Sequence, residues 1–131
     1  MSKNYKIKQV IVLRKDLQMT KGKLVAMGAH ASMKVLLDTR QKSGGDECIL
    51  ELTPDMREWV AGSFAKVCVY VNTEQELLDA YKRALHVGIP CALITDSGKT
   101  MFHGHPTNTC IAIGPAKSED IDKITGEFKL L

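Results

Sequence analysis

A three-layer α/β fold, with a four-stranded mixed sheet and helices on both faces, is what this 131-residue sequence predicts. Three observations lead there. Short, nearly continuous apolar runs rich in β-branched residues alternate with stretches of helical period, the pattern of strands covered on both sides. Helix-start signals stand at Thr20, Thr53, Thr73 and Ser118, where those stretches begin. Hydrophobic residues at 44% and charged residues at 25% are ordinary for a packed domain and argue against disorder or a fibrous repeat.

Residues 8–13 (KQVIVL) read as the first strand. A helix opens at Thr20 or at the Lys21–Gly22 turn and runs to about Asp38, with Leu24, Met27, Ala31, Val35 and Leu36 among its apolar positions. Residues 41–47 (QKSGGDE) form a loop by composition. Thr53 followed by Pro54 places a cap and then Pro at the first helical position, so a short helix runs through Trp59 to Gly62. Residues 66–71 (KVCVYV) are the second strand. Thr73 and Glu76 have capping-box spacing and start a helix with Leu77, Leu78, Tyr81, Ala84 and Leu85 on its apolar side, ending at Gly88. Residues 90–95 (PCALIT) and 109–113 (TCIAI) are the third and fourth strands, and Gly114-Pro115 is expected to break the last. Ser118 then caps a short helix over Ile121 and Ile124.

Helical crossovers between the first three strands imply three parallel strands. The loop of about a dozen residues before the fourth has no helical pattern, so that strand is expected to run antiparallel. No repeat, low-complexity tract or linker interrupts the chain, which predicts a single domain over residues 1–131.

The net charge of +3 permits an anionic partner without demanding one. Basic residues are denser at the amino end, where Lys3, Lys6, Lys8, Arg14, Lys15, Lys21 and Lys23 face one acid, Asp16. That asymmetry points to a phosphate-rich ligand there. No apolar stretch reaches the roughly 18 residues of a membrane span, and MSKNYKIK has no signal-peptide core. The four cysteines, Cys48, Cys68, Cys91 and Cys110, lack disulfide or zinc spacing and read as buried, reduced thiols of a cytoplasmic protein. His103-Gly-His105 lacks further metal ligands at matching spacing, and neither Gly22 nor Gly98 belongs to a nucleotide-binding fingerprint.

The chemistry gathers at two strand ends. Lys23, Met27 and His30 are spaced to share one helical face just after the first strand. Asp96-Ser-Gly-Lys-Thr100 follows the third. Ligands of open α/β sheets sit beyond the carboxyl ends of parallel strands. Lys23, His30 and Asp96 are therefore expected around one crevice, with Lys99 and Thr100 at its rim. A carboxylate, an ammonium, an imidazole and hydroxyls, without an obvious nucleophilic Ser or Cys, suit a positioned water attacking an ester or phosphate.

In four stretches the chain closely resembles type 2 peptidyl-tRNA hydrolases, with a bacterial- or phage-like cast. These are KQVIVLRKDLQMTKGKLVAMGAHA (8–31), KVCVYVNTEQELL (66–78), GIPCALITDSGKT (88–100) and TCIAIGPAKSEDIDKITGEFKLL (109–131). The resemblance implies hydrolysis of the ester joining a peptide to the terminal ribose of tRNA, which recycles the tRNA. It also implies a homodimer and no metal or organic cofactor. It places the family's site positions on Lys23, His30, Asp96 and Thr100, with Thr109 at the start of the last strand. Asp96 would orient or deprotonate water, directly or through Thr100. Lys23 would stabilise the oxyanion or a phosphate, and Lys15, Lys21 and Lys99 would hold backbone phosphates. Two positions depart from the family pattern: Met27 stands where Gln is usual, and Met101 where Gln or Glu is usual. Both would line the substrate site with apolar surface. A non-catalytic tRNA-end or protein-binding module, or a hydrolase of another ester, is the alternative those methionines support.

Overall fold

The computed structural model describes residues 5–42, 45–98 and 102–131. Its five strands are β1 (Ile7–Arg14), β2 (Lys66–Val71), β3 (Cys91–Asp96), β4 (Thr107–Lys117) and β5 (Lys129–Leu130), ordered β3-β4-β1-β2-β5. β1 lies mid-sheet, which explains its unbroken apolar run: Val10 and Val12 enter one core cluster, Ile11 and Leu13 the other. Helices α1 (Lys21–Leu37) and α2 (Pro54–Ala61) cover the Ile11/Leu13 face, while α3 (Glu74–His86) and α4 (Ser118–Thr125) cover the opposite one. The sequence predicts this layering, and the structure has it.

The expected three parallel strands are corrected. One pair, β1–β2, is parallel; β1–β4, β3–β4 and β2–β5 are antiparallel. β4 inserts between β1 and β3 and so runs antiparallel to both, as expected for its own direction. Crossover helices fix the sense in which strands run but not which strands become neighbours. The fifth strand has two residues, too few to carry any period.

Gly114-Pro115 does not end β4, which continues to Lys117 through a cis peptide bond and a register shift opposite Lys8 and Val10. Gly114 keeps the pairing because its φ of 91° suits glycine, and a Cβ there would lie 2.7 Å from the Lys8 carbonyl oxygen. Its N–H donates to Pro90 O at 2.7 Å, and its carbonyl accepts from buried Gln9 at 3.1 Å. Ser118 is the first residue of α4 rather than its cap; Lys117 holds the cap position, without a side-chain bond. The cysteines are corrected too. Cys110 is buried and Cys91 half-buried, but Cys48, in the loop ahead of α2, and Cys68, on a face of β2 left partly uncovered, are exposed. Leu85, expected on the apolar side of α3, is also exposed. Among the described residues no helix is long and apolar enough to cross a membrane.

Candidate active site

β1 ends at Arg14, a 3-10 turn follows over Lys15–Leu17, and Thr20 starts α1 by accepting the Lys23 N–H at 3.2 Å. The helix returns across β4 and β3, which sets its first turn over the carboxyl end of β3. Lys23 Nζ there donates to Asp96 Oδ1 at 2.7 Å, and the two side chains are 12% and 11% exposed. The Gly98 N–H donates to the other oxygen, Oδ2, at 2.8 Å. The Lys23 hydrogen bond and the Gly98 N–H hold the Asp96 carboxyl below the usual carboxylate range. Partial burial opposes that shift, and the charges of Lys23 and His30 add to it. Asp96 is thus fixed as an ionised acceptor.

The remaining candidates occupy different surroundings. His30 is exposed on α1, and its influence on Asp96 is electrostatic. Met27, spaced to share the face of Lys23, is instead buried at 4% exposure. Its sulfur accepts from Thr109 Oγ1 at 3.3 Å, and its carbonyl accepts from Cys110 Sγ at 3.3 Å. Thr109 is fully buried and also lies 3.3 Å from the Ile94 carbonyl. Met27 and Thr109 therefore belong to the core beneath the ion pair. Lys21 is the exposed first residue of α1, and Lys15 Nζ rests 4.4 Å from the centre of the Tyr70 ring. Lys99, Thr100 and Met101 lie outside the described residues.

The burial of Met27 sets an expectation. Met27→Gln should lower unfolding stability by about 1–3 kcal/mol, because a buried amide needs partners that this packed site was not built to supply. Urea unfolding checks it; unchanged stability would mean that Thr109 and nearby carbonyls satisfy the amide.

Three features here carry little sequence signal. Phe102 packs on the same core cluster, with its ring centre 5.8 Å from Lys23 Nζ. Gly98, with φ at 88°, supplies the second donor to Asp96. Arg14 ties three strand ends together: it grips Asp16 at 3.2 and 2.7 Å and donates to Asn108 O at 3.0 Å. Asn108 in turn accepts from Thr95 at 2.7 Å and donates to Glu74 at 3.2 Å. An Arg closing a strand with Asp two residues on was the available hint.

A cleft of about 670 Å³ lies on the other face, between α3 and α4. Lys82, Arg83, His86 and Lys123 line it with the single acid Asp120. The Lys23–Asp96 pair has what hydrolysis requires, a fixed carboxylate beside a cation, and is the better candidate. Among the described residues no group of three His, Cys, Asp or Glu side chains could hold a metal ion.

The family model described as "Peptidyl-tRNA hydrolase PTH2" matches residues 7–131. The chain is 44% identical over 125 residues to a peptidyl-tRNA hydrolase of Methanocaldococcus jannaschii, covering 95% of this chain and 100% of that protein. It is 38% identical to one of Sulfolobus acidocaldarius, with coverage of 95% and 100%. The corresponding enzyme of Sulfurisphaera tokodaii is 40% identical, with coverage of 95% and 98%. Among solved structures, the Agrobacterium tumefaciens protein of unknown function Atu0240 superimposes with a TM-score of 0.61 at 18% identity, covering 97% of this chain and 98% of that one. At that identity the likeness is one of fold.

Proposed function

Because the chain belongs to the peptidyl-tRNA hydrolase PTH2 family, we propose that Lys23 and Asp96 form the centre at which it cleaves its ester. Its activity is hydrolysis of the bond between a peptidyl group and the 3′ end of tRNA, which frees the tRNA for reuse. The observation that carries the site is the ion pair at 2.7 Å between the first turn of α1 and the end of β3.

The chemistry follows from the hydrogen bonds. Each carboxylate oxygen can accept two bonds. Oδ1 spends one on Lys23 and Oδ2 one on Gly98, so a lone pair on either can orient water toward the ester carbonyl. A carboxylate held below its usual range is a weak base, so its main work is aiming the water and favouring positive charge on the attacking oxygen. As the oxygen adds to the carbonyl carbon, its proton passes to Asp96; the C–O bond to the ribose then breaks, and the leaving 3′ oxygen takes that proton back from Asp96, which restores the carboxylate. Lys23, beside the same carboxylate, faces the oxyanion that forms. Such donors are worth about 3 kcal/mol of barrier each. The reading keeps Thr100 as a catalytic residue and Met101 as a substrate-binding one, as the family resemblance implies. His30 orders the network around Asp96, on which it acts electrostatically from the exposed side of α1. Met27 and Thr109 brace the floor, while Lys15, Lys21 and Lys99 take backbone phosphates, so that binding weakens steeply with salt. The reading includes a single domain over residues 1–131, acting in the cytoplasm as a homodimer without a metal or organic cofactor.

Single-turnover release of a labelled N-acetyl-aminoacyl group from tRNA tests this, with Asp96→Asn as control. Asp96-dependent release is expected. Salt-sensitive tRNA binding without release would replace catalysis with a binding role.

The ion pair also sets a pH dependence. Asp96 is depressed when folded, so the stability it contributes is present above the unfolded value of about 3.9 and lost as pH falls through the lower folded value. Lys23→Gln removes the largest cause of the depression. The acid limb of the kcat/KM profile should then move to higher pH, whereas an unmoved limb would separate Asp96 ionisation from the reaction.

A further inference from the structure

A second lysine rests on an aromatic ring at the carboxyl ends of the strands. The register aligns Tyr70 of β2 with Leu13 of β1, Leu13 with Cys110 of β4, and Cys110 with Ile94 of β3. These four residues form one row across the face that α1 covers. Leu13, Cys110 and Ile94 belong to the cluster beneath α1, but Tyr70 does not. It lies beyond the part of the sheet that the helix covers and is only half-buried. Its hydroxyl makes no hydrogen bond among the described residues, and Lys15 Nζ stands 4.4 Å from the ring centre. Three interstrand steps of about 4.8 Å and two residues along β3 place Tyr70 roughly 16 Å from Asp96. Lys15 and Lys21 belong to the segment that joins β1 to α1, between the two points.

We propose that Tyr70 is a stacking platform for an unpaired base of the substrate's 3′ strand, and that Lys15 leaves the ring to take the adjoining phosphate when the strand arrives. The proposal rests on the chain's being a peptidyl-tRNA hydrolase whose ester lies at Asp96. A strand whose last ribose sits there must lead away over the protein, and the cationic segment toward Tyr70 offers its phosphates a path. Proteins that hold single strands combine cations that follow the backbone with rings on which bases stack. Lysine on a half-buried ring at the surface is a weak contact and is readily exchanged for a phosphate. A bare lysine cluster would bind duplex and single strand alike; the ring adds preference for unpaired bases. An acidic peptide would use the lysine but gain little from the ring.

The test titrates a fluorescein-labelled single-stranded RNA ending in CCA into wild type, Tyr70→Leu, Tyr70→Phe and Tyr70→Trp. In parallel, initial rates are measured on N-acetyl-aminoacyl-tRNA and on N-acetyl-aminoacyl-adenosine, which lacks the upstream nucleotides. Tyr70→Leu should raise Kd for the RNA and KM for the tRNA ester about 5- to 100-fold, with kcat retained. Phe and Trp should restore both, and the adenosine ester should be cleaved as by wild type. An unchanged Kd in Tyr70→Leu overturns the proposal. So does failure of Phe to rescue, or an equal loss on the adenosine ester, which would place Tyr70 in support of the catalytic centre. If wild type cleaves neither ester, the assignment of the activity falls, and the RNA titration still decides the role of Tyr70.

Discussion

Asp96→Asn will lower single-turnover release about 10²- to 10⁴-fold while the fold stays intact. The substitution keeps the size of the side chain and an oxygen that can accept the Gly98 N–H, now 2.8 Å from Oδ2. It removes the negative charge that Lys23 approaches at 2.7 Å and the lone pairs of one oxygen, leaving only a neutral, weaker acceptor to aim a water. An amide nitrogen turned toward Lys23 donates where acceptance is required, so the ammonium must shift toward solvent. Thermal unfolding should move by a few degrees at most, since the pair is partly exposed and Asp96 belongs to neither core cluster. The two readouts separate the explanations. A large kinetic loss with a preserved Tm identifies a chemical role. A matching fall in both would mean that the ion pair mainly fastens α1 to β3, and unaltered release would remove Asp96 from the reaction.

Local signals in the sequence translated well where they had a direct stereochemical meaning. The Thr73/Glu76 spacing becomes a cap in which Thr73 Oγ1 accepts the Glu76 N–H at 3.1 Å and Glu76 reaches back to the Asn72 N–H at 3.1 Å. Thr53 likewise accepts the Met56 N–H at 3.1 Å ahead of Pro54. The run 66–71 is β2 to the residue. Strand order was not legible, because a buried strand's apolar run looks the same beside either neighbour. Gly114-Pro115 misled for a related reason. The pair ends an ordinary strand, but here the Gln9 side chain and the Pro90 carbonyl satisfy the Gly114 backbone groups and carry β4 onward.

The site shows the same division. Lys23 and Asp96, 73 residues apart, could be expected at one crevice because parallel strand ends share an edge. Helical spacing could not reveal that Met27 turns into the core while Lys23 reaches the end of β3 and His30 stays exposed, since four residues span more than one full turn and α1 leans on the sheet. Tyr70 lay inside an apolar run whose default reading is core, and only the limited reach of α1 uncovers it. Arg14 counted among the basic residues expected to meet a phosphate-rich ligand, yet its partners come from β4 and, through Asn108, from β3 and α3.

Gly98→Ala is expected to lose about 10- to 100-fold in turnover, with a modest loss of overall stability. A Cβ built at Gly98 would stand 2.6 Å from His105 N, 2.7 Å from the Gly104 carbonyl carbon and 2.7 Å from His105 O. All three are backbone atoms and cannot swing aside as a flexible side-chain tip would. The φ of 88° adds strain of about 1–2 kcal/mol for a residue with a Cβ. The chain will relieve both by moving Gly98 away from Gly104, whose N–H donates to the Gly98 carbonyl at 2.9 Å. That movement takes the Gly98 N–H away from Asp96, and a bond to a charged group is worth about 1.5–3 kcal/mol. The stability loss should stay within about 1–2 kcal/mol, because Gly98 lies beyond the end of β3, where the chain can shift without opening the sheet. Asp96 would lose one of its two fixed donors, so the acid limb of the rate profile should also rise in pH, in the same sense as for Lys23→Gln. A kinetic loss without that displacement would mean that Gly98 serves substrate access and leaves the Asp96 carboxylate as it is.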